Sequence, residues 1–119
     1  MRCLLVLAHG SRRPQSNAEV RGVARTLRAR LRGRYDVVAA AFLELARPGI
    51  ASAIAGAVAA GADEIVLFPY FLSAGRHVSE DIPALVAQAR AQFPDVAIHI
   101  QPHLGAQRQL AALIAESVP

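Results

Sequence analysis

Lysine is absent from this 119-residue sequence, and all thirteen of its basic side chains are arginine. That excludes both a Schiff-base lysine and the lysine of a phosphate-binding P-loop. Tryptophan is absent too, and aromatic residues make up only 5% of the chain. No basic run interleaved with aromatics is therefore available to grip a nucleic-acid strand. Cysteine occurs once, as Cys3, so no internal disulfide and no thiolate cluster for zinc can form. At the start of an apolar strand, Cys3 reads as a buried, inert thiol. No apolar run approaches the ~20 residues of a spanning helix, and residues 4–8 are too short for the core of a secretory leader. A soluble, cytoplasmic protein without a membrane partner is the expectation. The G-x-G-x-x-G, Walker and G-x-S-x-G signatures are missing as well, and Ser11 has no evident base to make it a nucleophile. Metal or proton chemistry is what remains.

What is present suits one α/β domain over residues 1–119. Hydrophobic residues reach 54%, and the net charge of +4 favours an anionic ligand. Residues 2–8 form an apolar run that stops at His9-Gly10-Ser11, as a buried strand does. A helix is predicted from Pro14 to about Arg32, with an apolar stripe of Val20, Val23, Ala24, Leu27 and Leu31. Arg21, Arg25, Arg28 and Arg32 form a second stripe, which reads better as a solvated flank than as a partner surface. The second strand is predicted over residues 35–43, ending at Glu44, and an alanine-rich helix follows from Pro48 to Ala60. A third strand over 63–68, a third helix reaching Phe93, a fourth strand over 95–100 and a last helix over 106–117 complete the chain.

Strands alternating with helices imply a parallel sheet with right-handed crossovers and helices on both faces. The flavodoxin-like strand order 2-1-3-4 fits best. Ligands of such sheets bind beyond the carboxyl ends of the strands where the winding reverses, here between strands one and three. His9 follows strand one and His77 lies in the loop after strand three. Neutral imidazole suits both a borderline divalent metal and a proton near neutrality. Glu44, at the end of strand two, either faces the same crevice as a proton acceptor or is an ordinary exposed glutamate. Arg12, Arg13 and Arg76 flank the histidines, where guanidinium forks would suit carboxylates. Ser73-Ala74-Gly75 is small enough to let a flat ligand approach the backbone. Tyr70 and Phe71 either wall the ligand or pack beneath the loop. His99 reads as an edge-facing structural residue, and His103 follows a strand at the functional edge without a defined role.

The segments Ala8-His9-Gly10-Ser11-Arg12, Ala41-Phe42-Leu43-Glu44 with Pro48, and Phe68 through Val78 to Asp81-Ile82-Pro83 resemble the sirohydrochlorin chelatases. These are the class II cobalto- and ferrochelatases of the CbiX and SirB type. Pro102-His103-Leu104-Gly105 is similar to that family's proline-leucine-glycine turn, with a histidine inserted. The likeness runs through the whole chain in order and spacing. It implies a three-layer chelatase-like domain that inserts a divalent metal, cobalt ahead of iron, into an eight-carboxylate tetrapyrrole for cobalamin or siroheme. Nickel is a further possibility, and no permanent cofactor is implied. By resemblance, His9 and His77 hold the metal, and His9, Glu44 and His77 are the catalytic residues. Glu44 and the loop Leu72, Ser73, Ala74, Gly75, Arg76 and His77 line the macrocycle, joined by Ser11 and Arg12. Many relatives carry two such domains, so this chain resembles half of one and is expected to form a homodimer. A carrier that binds metal or tetrapyrrole without turnover is the first rival, and a flavodoxin-like interaction domain the second.

Overall fold

The computed structural model describes the backbone of all 119 residues and every side chain except that of His77. Cys3 through Ala8 are all buried because β1 (Arg2–Ala8) has a strand on each side and helices above and below. Such a strand needs apolar residues at every position rather than at alternate ones. β2 (Val37–Phe42) pairs in parallel with Cys3–Ala8, and β3 (Glu64–Pro69) pairs in parallel with Arg2–Leu7 on the other side. The short β4 (Ala97–Ile100) joins β3 at the far edge, giving the order β2-β1-β3-β4 expected from the sequence.

Two apolar layers follow from the alternation of side chains along β1. Cys3, Leu5 and Leu7 point with Ile65 and Leu67 toward α2 (Ile50–Ala59) and α3 (Ile82–Gln92), where Ile50, Ile54, Ile82 and Val86 meet them. Leu4, Val6 and Ala8 point the other way, with Val38, Ala40, Phe42 and Val66, toward α1 (Pro14–Arg30). Burial pushes the Cys3 thiol up to about 11, so it stays protonated and unreactive at neutral pH.

Besides shifts of one or two residues in β3 and β4, the element boundaries depart from the sequence reading in four places. β2 starts at Val37 rather than residue 35, because Tyr35 lies beneath the Arg2 guanidinium, 4.6 Å from the ring centre, instead of extending the ladder. α1 stops at Arg30, where Leu31 donates its N–H to the Leu27 carbonyl and Gly33 turns at φ 87°. Ahead of α3 the chain winds one wider π turn, His77–Asp81, so His77 begins this helical segment rather than preceding it. The last segment breaks into a 3₁₀ turn, Leu104–Ala106, and a shorter α4 (Gln109–Ser117). Helices were expected to cover both faces. Among the described residues, none of α4 is buried.

The arginine stripe of α1 is not wholly solvated. Arg21 donates to the Arg47 carbonyl and lies 5.1 Å from the centre of the Phe42 ring, tying α1 to the segment after β2. Among the described residues, no helix is long and apolar enough to cross a membrane.

Candidate functional site

Strand pairing carries His9 and Glu44 to one place. β1 and β2 run in register up to Ala8 and Phe42, and the ladder continues past both, with Leu43 donating to the Ala8 carbonyl and Glu44 to the His9 carbonyl. The chain then turns away on each side. Gly10 turns at φ 93°, and a Cβ there would lie 1.7 Å from the Glu44 carbonyl oxygen. Glycine is therefore required twice over, by conformation and by contact. Leu45 occupies the left-handed region at φ 64° with its side chain 53% exposed. For a residue with a branched aliphatic side chain that conformation is strained, and it sits directly after Glu44.

The two side chains meet. His9 Nε2 lies 3.4 Å from Glu44 Oε1, and His9 Nδ1 lies 3.2 Å from the Gly10 carbonyl oxygen. A neutral imidazole has one N–H, so it can donate to one of these oxygens while turning a lone pair on the other. The imidazolium donates to both. Both side chains are about half exposed, 44% for His9 and 55% for Glu44, which leaves them open to a ligand arriving from solvent.

Asn17 holds this corner, although nothing in the sequence singled it out. It is the buried polar residue of α1. Its Oδ1 accepts from the Ser11 amide and its Nδ2 donates to the Ser11 carbonyl, at 2.9 and 2.8 Å. Ser11 Oγ in turn accepts from the Arg13 amide. The hydroxyl assigned to the ligand is thus engaged in shaping its own turn. Arg12 and Arg13 are exposed beside it.

The second wall rises from β3. Tyr70 donates its amide to the Leu7 carbonyl at 2.7 Å, which extends β3 beside β1. Phe71 packs against the apolar core on the α2–α3 side, beneath the loop, whereas Tyr70 stays exposed. Residues 72–76 are exposed, Leu72 by 71%. The loop is pinned from behind by Gly105, which donates to the Phe71 carbonyl and would drive a Cβ to 1.6 Å from the Leu72 carbonyl oxygen. Its far end closes on the Gly75 carbonyl, which accepts from the amides of Val78 and Ser79 and from Ser79 Oγ. Arg76 and Glu80 lie 3.7 Å apart one helical turn on, both well exposed. Such a pair holds weakly and leaves the guanidinium free to turn to another anion.

His77 enters at the carboxyl side of β3, at the first position of the π turn. Its side chain, and with it the expected pairing with His9 at the metal, lies outside the described residues. Among the described residues, no group of three or more histidine, cysteine, aspartate or glutamate side chains could hold a metal ion. His99 stands on the edge strand, half exposed, 3.7 Å from Glu64. His103 caps the 3₁₀ turn through its backbone carbonyl, which accepts from the Ala106 amide.

The fold and motifs have counterparts among known proteins. The chloroplastic sirohydrochlorin ferrochelatase of Arabidopsis thaliana is 32% identical over 115 residues, which is 97% of this chain and 50% of the relative. The sirohydrochlorin cobaltochelatase of Methanococcus maripaludis is 36% identical over 86 residues, 72% of this chain and 58% of the relative. The chain thus spans roughly half of the length of these relatives. The sirohydrochlorin chelatase SirB of Bacillus subtilis subspecies spizizenii, solved in complex with cobalt, superposes with a TM-score of 0.84 at 25% identity, covering 97% of this chain and 48% of that one. The family model CbiX matches residues 3–119, and the chain belongs to the CbiX family.

Proposed function

We propose that this chain inserts a divalent metal into sirohydrochlorin, with cobalt as the first metal, iron next and nickel as a further substrate. The observation that carries the reading is the His9–Glu44 pair, 3.4 Å apart and half exposed at the carboxyl edge where β1 and β2 end. Insertion requires a base because the macrocycle gives up two pyrrole protons as its four nitrogens take the metal. His9 accepts a proton and Glu44 stabilises the resulting imidazolium, with the Gly10 carbonyl as the second acceptor. His77, entering from β3, joins His9 in presenting the metal, which is substrate here and has to be released. A donor set of imidazole and carboxylate suits that weak hold for cobalt, iron and nickel alike.

Arg12, Arg13 and Arg76 supply the positive rim for an eight-carboxylate ligand, and the exposed segment Leu72–Arg76 gives it a flat shelf. Glu44 lines the macrocycle beside His9. A second copy of the chain provides the opposite wall of the cleft.

The test is anaerobic incubation of the chain with sirohydrochlorin and cobalt(II), iron(II) or nickel(II), following the macrocycle absorption against the uncatalysed rate. Acceleration fastest with cobalt is expected. Stoichiometric binding with no acceleration for any metal would replace the enzyme with a carrier.

Gly75 offers a separate check on the shelf. A Cβ at Gly75 meets nothing within 4 Å, and the residue needs no positive φ, so the fold makes no demand for glycine here. Gly75→Ala is expected to leave the melting temperature within ~2 °C, since an unhindered substitution costs little. It should still raise the KM for sirohydrochlorin severalfold, because the methyl group occupies the face where the macrocycle rests. An unchanged KM would remove Gly75 from the binding surface.

A further inference from the structure

Folding gains little from the leucine at position 45. Among the described residues, Leu45 is the one non-glycine residue with a positive φ, at 64°. The Ala46 N–H bonds the Glu44 carbonyl across it at 2.8 Å, which closes a γ-turn of the rare, strained kind. The Leu45 side chain is 53% exposed, while nearby Leu43 and Ala46 each pack against an apolar layer. Glycine would relieve this backbone, and asparagine would tolerate it better than leucine does. Either would also take apolar surface out of the water. A single exposed leucine is ordinary, but one held in strain points to a use outside folding.

The turn is fixed on both sides. Glu44 donates its amide to the His9 carbonyl, and its own carbonyl is wedged between the Ala46 N–H and Gly10. Further on, the Arg47 carbonyl accepts from the Arg21 guanidinium and the Pro48 carbonyl from the Phe42 amide. Leu45 is therefore presented on a braced loop, one residue beyond the Glu44 carboxylate. It falls in the gap between Glu44 and Pro48, where no motif marks it.

The rest of this edge has the same character. Before the C-terminal segment, the large apolar side chains exposed among the described residues are Leu45, Tyr70 and Leu72. Leu45 follows β2 and the other two follow β3, so they flank His9, which follows β1. Two strand spacings separate β2 from β3, roughly 10 Å. Arg12, Arg13 and Arg76 are exposed at the same edge. Apolar points set among guanidinium groups suit a flat ligand with apolar faces and an anionic rim.

We propose that Leu45 is a substrate-binding residue whose side chain packs on a face of the tetrapyrrole while Tyr70 and Leu72 meet it from the β3 side, a contact that rests on sirohydrochlorin being the ligand. The arginines hold the carboxylate rim, and Leu45 supplies apolar contact that they cannot. That contact is the same before and after the metal enters, so it acts on binding and not on the chemical step.

Leu45→Asn and Leu45→Gly, with Leu45→Met as the conservative variant, are titrated with metal-free sirohydrochlorin by macrocycle absorption, beside thermal melts and turnover. Covering a half-exposed leucine is worth roughly tenfold in affinity. The Asn and Gly variants are expected to raise Kd and KM by about that factor with kcat within ~2-fold of the parent, and to melt at or above the parent temperature. Leu45→Met should bind within ~3-fold of the parent, because it keeps the apolar surface. The ratio of Asn-variant to parent Kd should stay constant from low to high salt while both constants rise, since salt screens the arginines and not the leucine. Asn and Gly variants that both bind within ~2-fold of the parent overturn the contact. So does a Met variant as weak as the Asn one, or a melting temperature that falls by more than ~5 °C in both Asn and Gly variants, which would give Leu45 to the fold. A parent that inserts metal beside variants of unaltered Kd loses the contact and keeps the reaction. A parent that binds without turnover beside weakened variants keeps the contact and loses the reaction. A parent that binds no sirohydrochlorin overturns both.

Discussion

His9→Ala is expected to bring metal insertion to within a few-fold of the uncatalysed rate, with the melting temperature unchanged within ~2 °C. The stability half follows from exposure. The His9 side chain is 44% exposed, and among the described residues it meets a half-exposed carboxylate and a carbonyl beside it, groups that water reaches once the ring is gone. The rate half follows from the two tasks proposed for it. Losing a positioned base alone costs ~10²–10⁴-fold, and losing a metal donor at the same atom adds to it. Glu44→Gln separates these tasks. It keeps the shape and a hydrogen-bond partner while removing the charge that stabilises the imidazolium, so it should lower turnover by a smaller factor than His9→Ala. The pair is read in the anaerobic absorption assay beside a thermal melt. If His9→Ala retains turnover within ~3-fold of the parent, the base lies elsewhere and the His9–Glu44 contact is a structural tie between β1 and β2.

Gly10→Ala is expected to lower stability by ~3–5 kcal/mol and to abolish turnover. Two penalties combine at this position. The backbone stands at φ 93°, which an L side chain adopts at a cost, and the new methyl would come to 1.7 Å from the Glu44 carbonyl oxygen. That obstacle is backbone tied into the β1–β2 ladder through Glu44 N–H and the His9 carbonyl, so it cannot swing aside as a flexible side chain would. A loss of this size belongs to the strained and overpacked substitutions rather than to surface ones, and is a large share of the 5–15 kcal/mol by which domains are stable. A fall of roughly 10–20 °C in melting temperature follows for a domain of this size. The melt is the deciding measurement, with Gly75→Ala as the control glycine. A Gly10→Ala protein melting within ~3 °C of the parent would mean that the turn relaxes freely and that the geometry at Glu44 is not held by it.

The contrast between Gly10 and Gly75 shows how far the residues could be read in one dimension. Both stand in segments that resemble family motifs, and the letter G is the same in each. Only the packing separates them: one is pressed against the Glu44 backbone, the other faces open space. The same holds for the hydroxyl of Ser11, assigned to the ligand by its place in a motif and found accepting from the Arg13 amide within its own turn. Asn17 was not legible as a site residue, and Gly105 was read only as part of a motif-like turn, because each acts through the backbone of another loop. Asn17 reaches back six residues to Ser11, and Gly105 reaches from after β4 to the loop after β3. Periodicity does not encode such a contact, and a motif names the residue without naming what it touches.

Hydrophobic patterning determined the class of fold, and the handedness of crossovers narrowed the strand order and the sheet edge that His9 and His77 follow. A parallel sheet buried on both faces leaves a continuous apolar signature at β1 and β3, and right-handed crossovers leave few ways to arrange four strands. Identity to the CbiX family was likewise carried by short motifs that keep their order along the chain. Tertiary structure decided the distance from His9 to Glu44, because it depends on register between strands more than thirty residues apart. It also decided that α4 leaves the sheet. The apolar stripe of α4 predicts burial without saying against what. Among the described residues none of α4 is buried, an outcome of packing on which hydrophobic patterning has no hold.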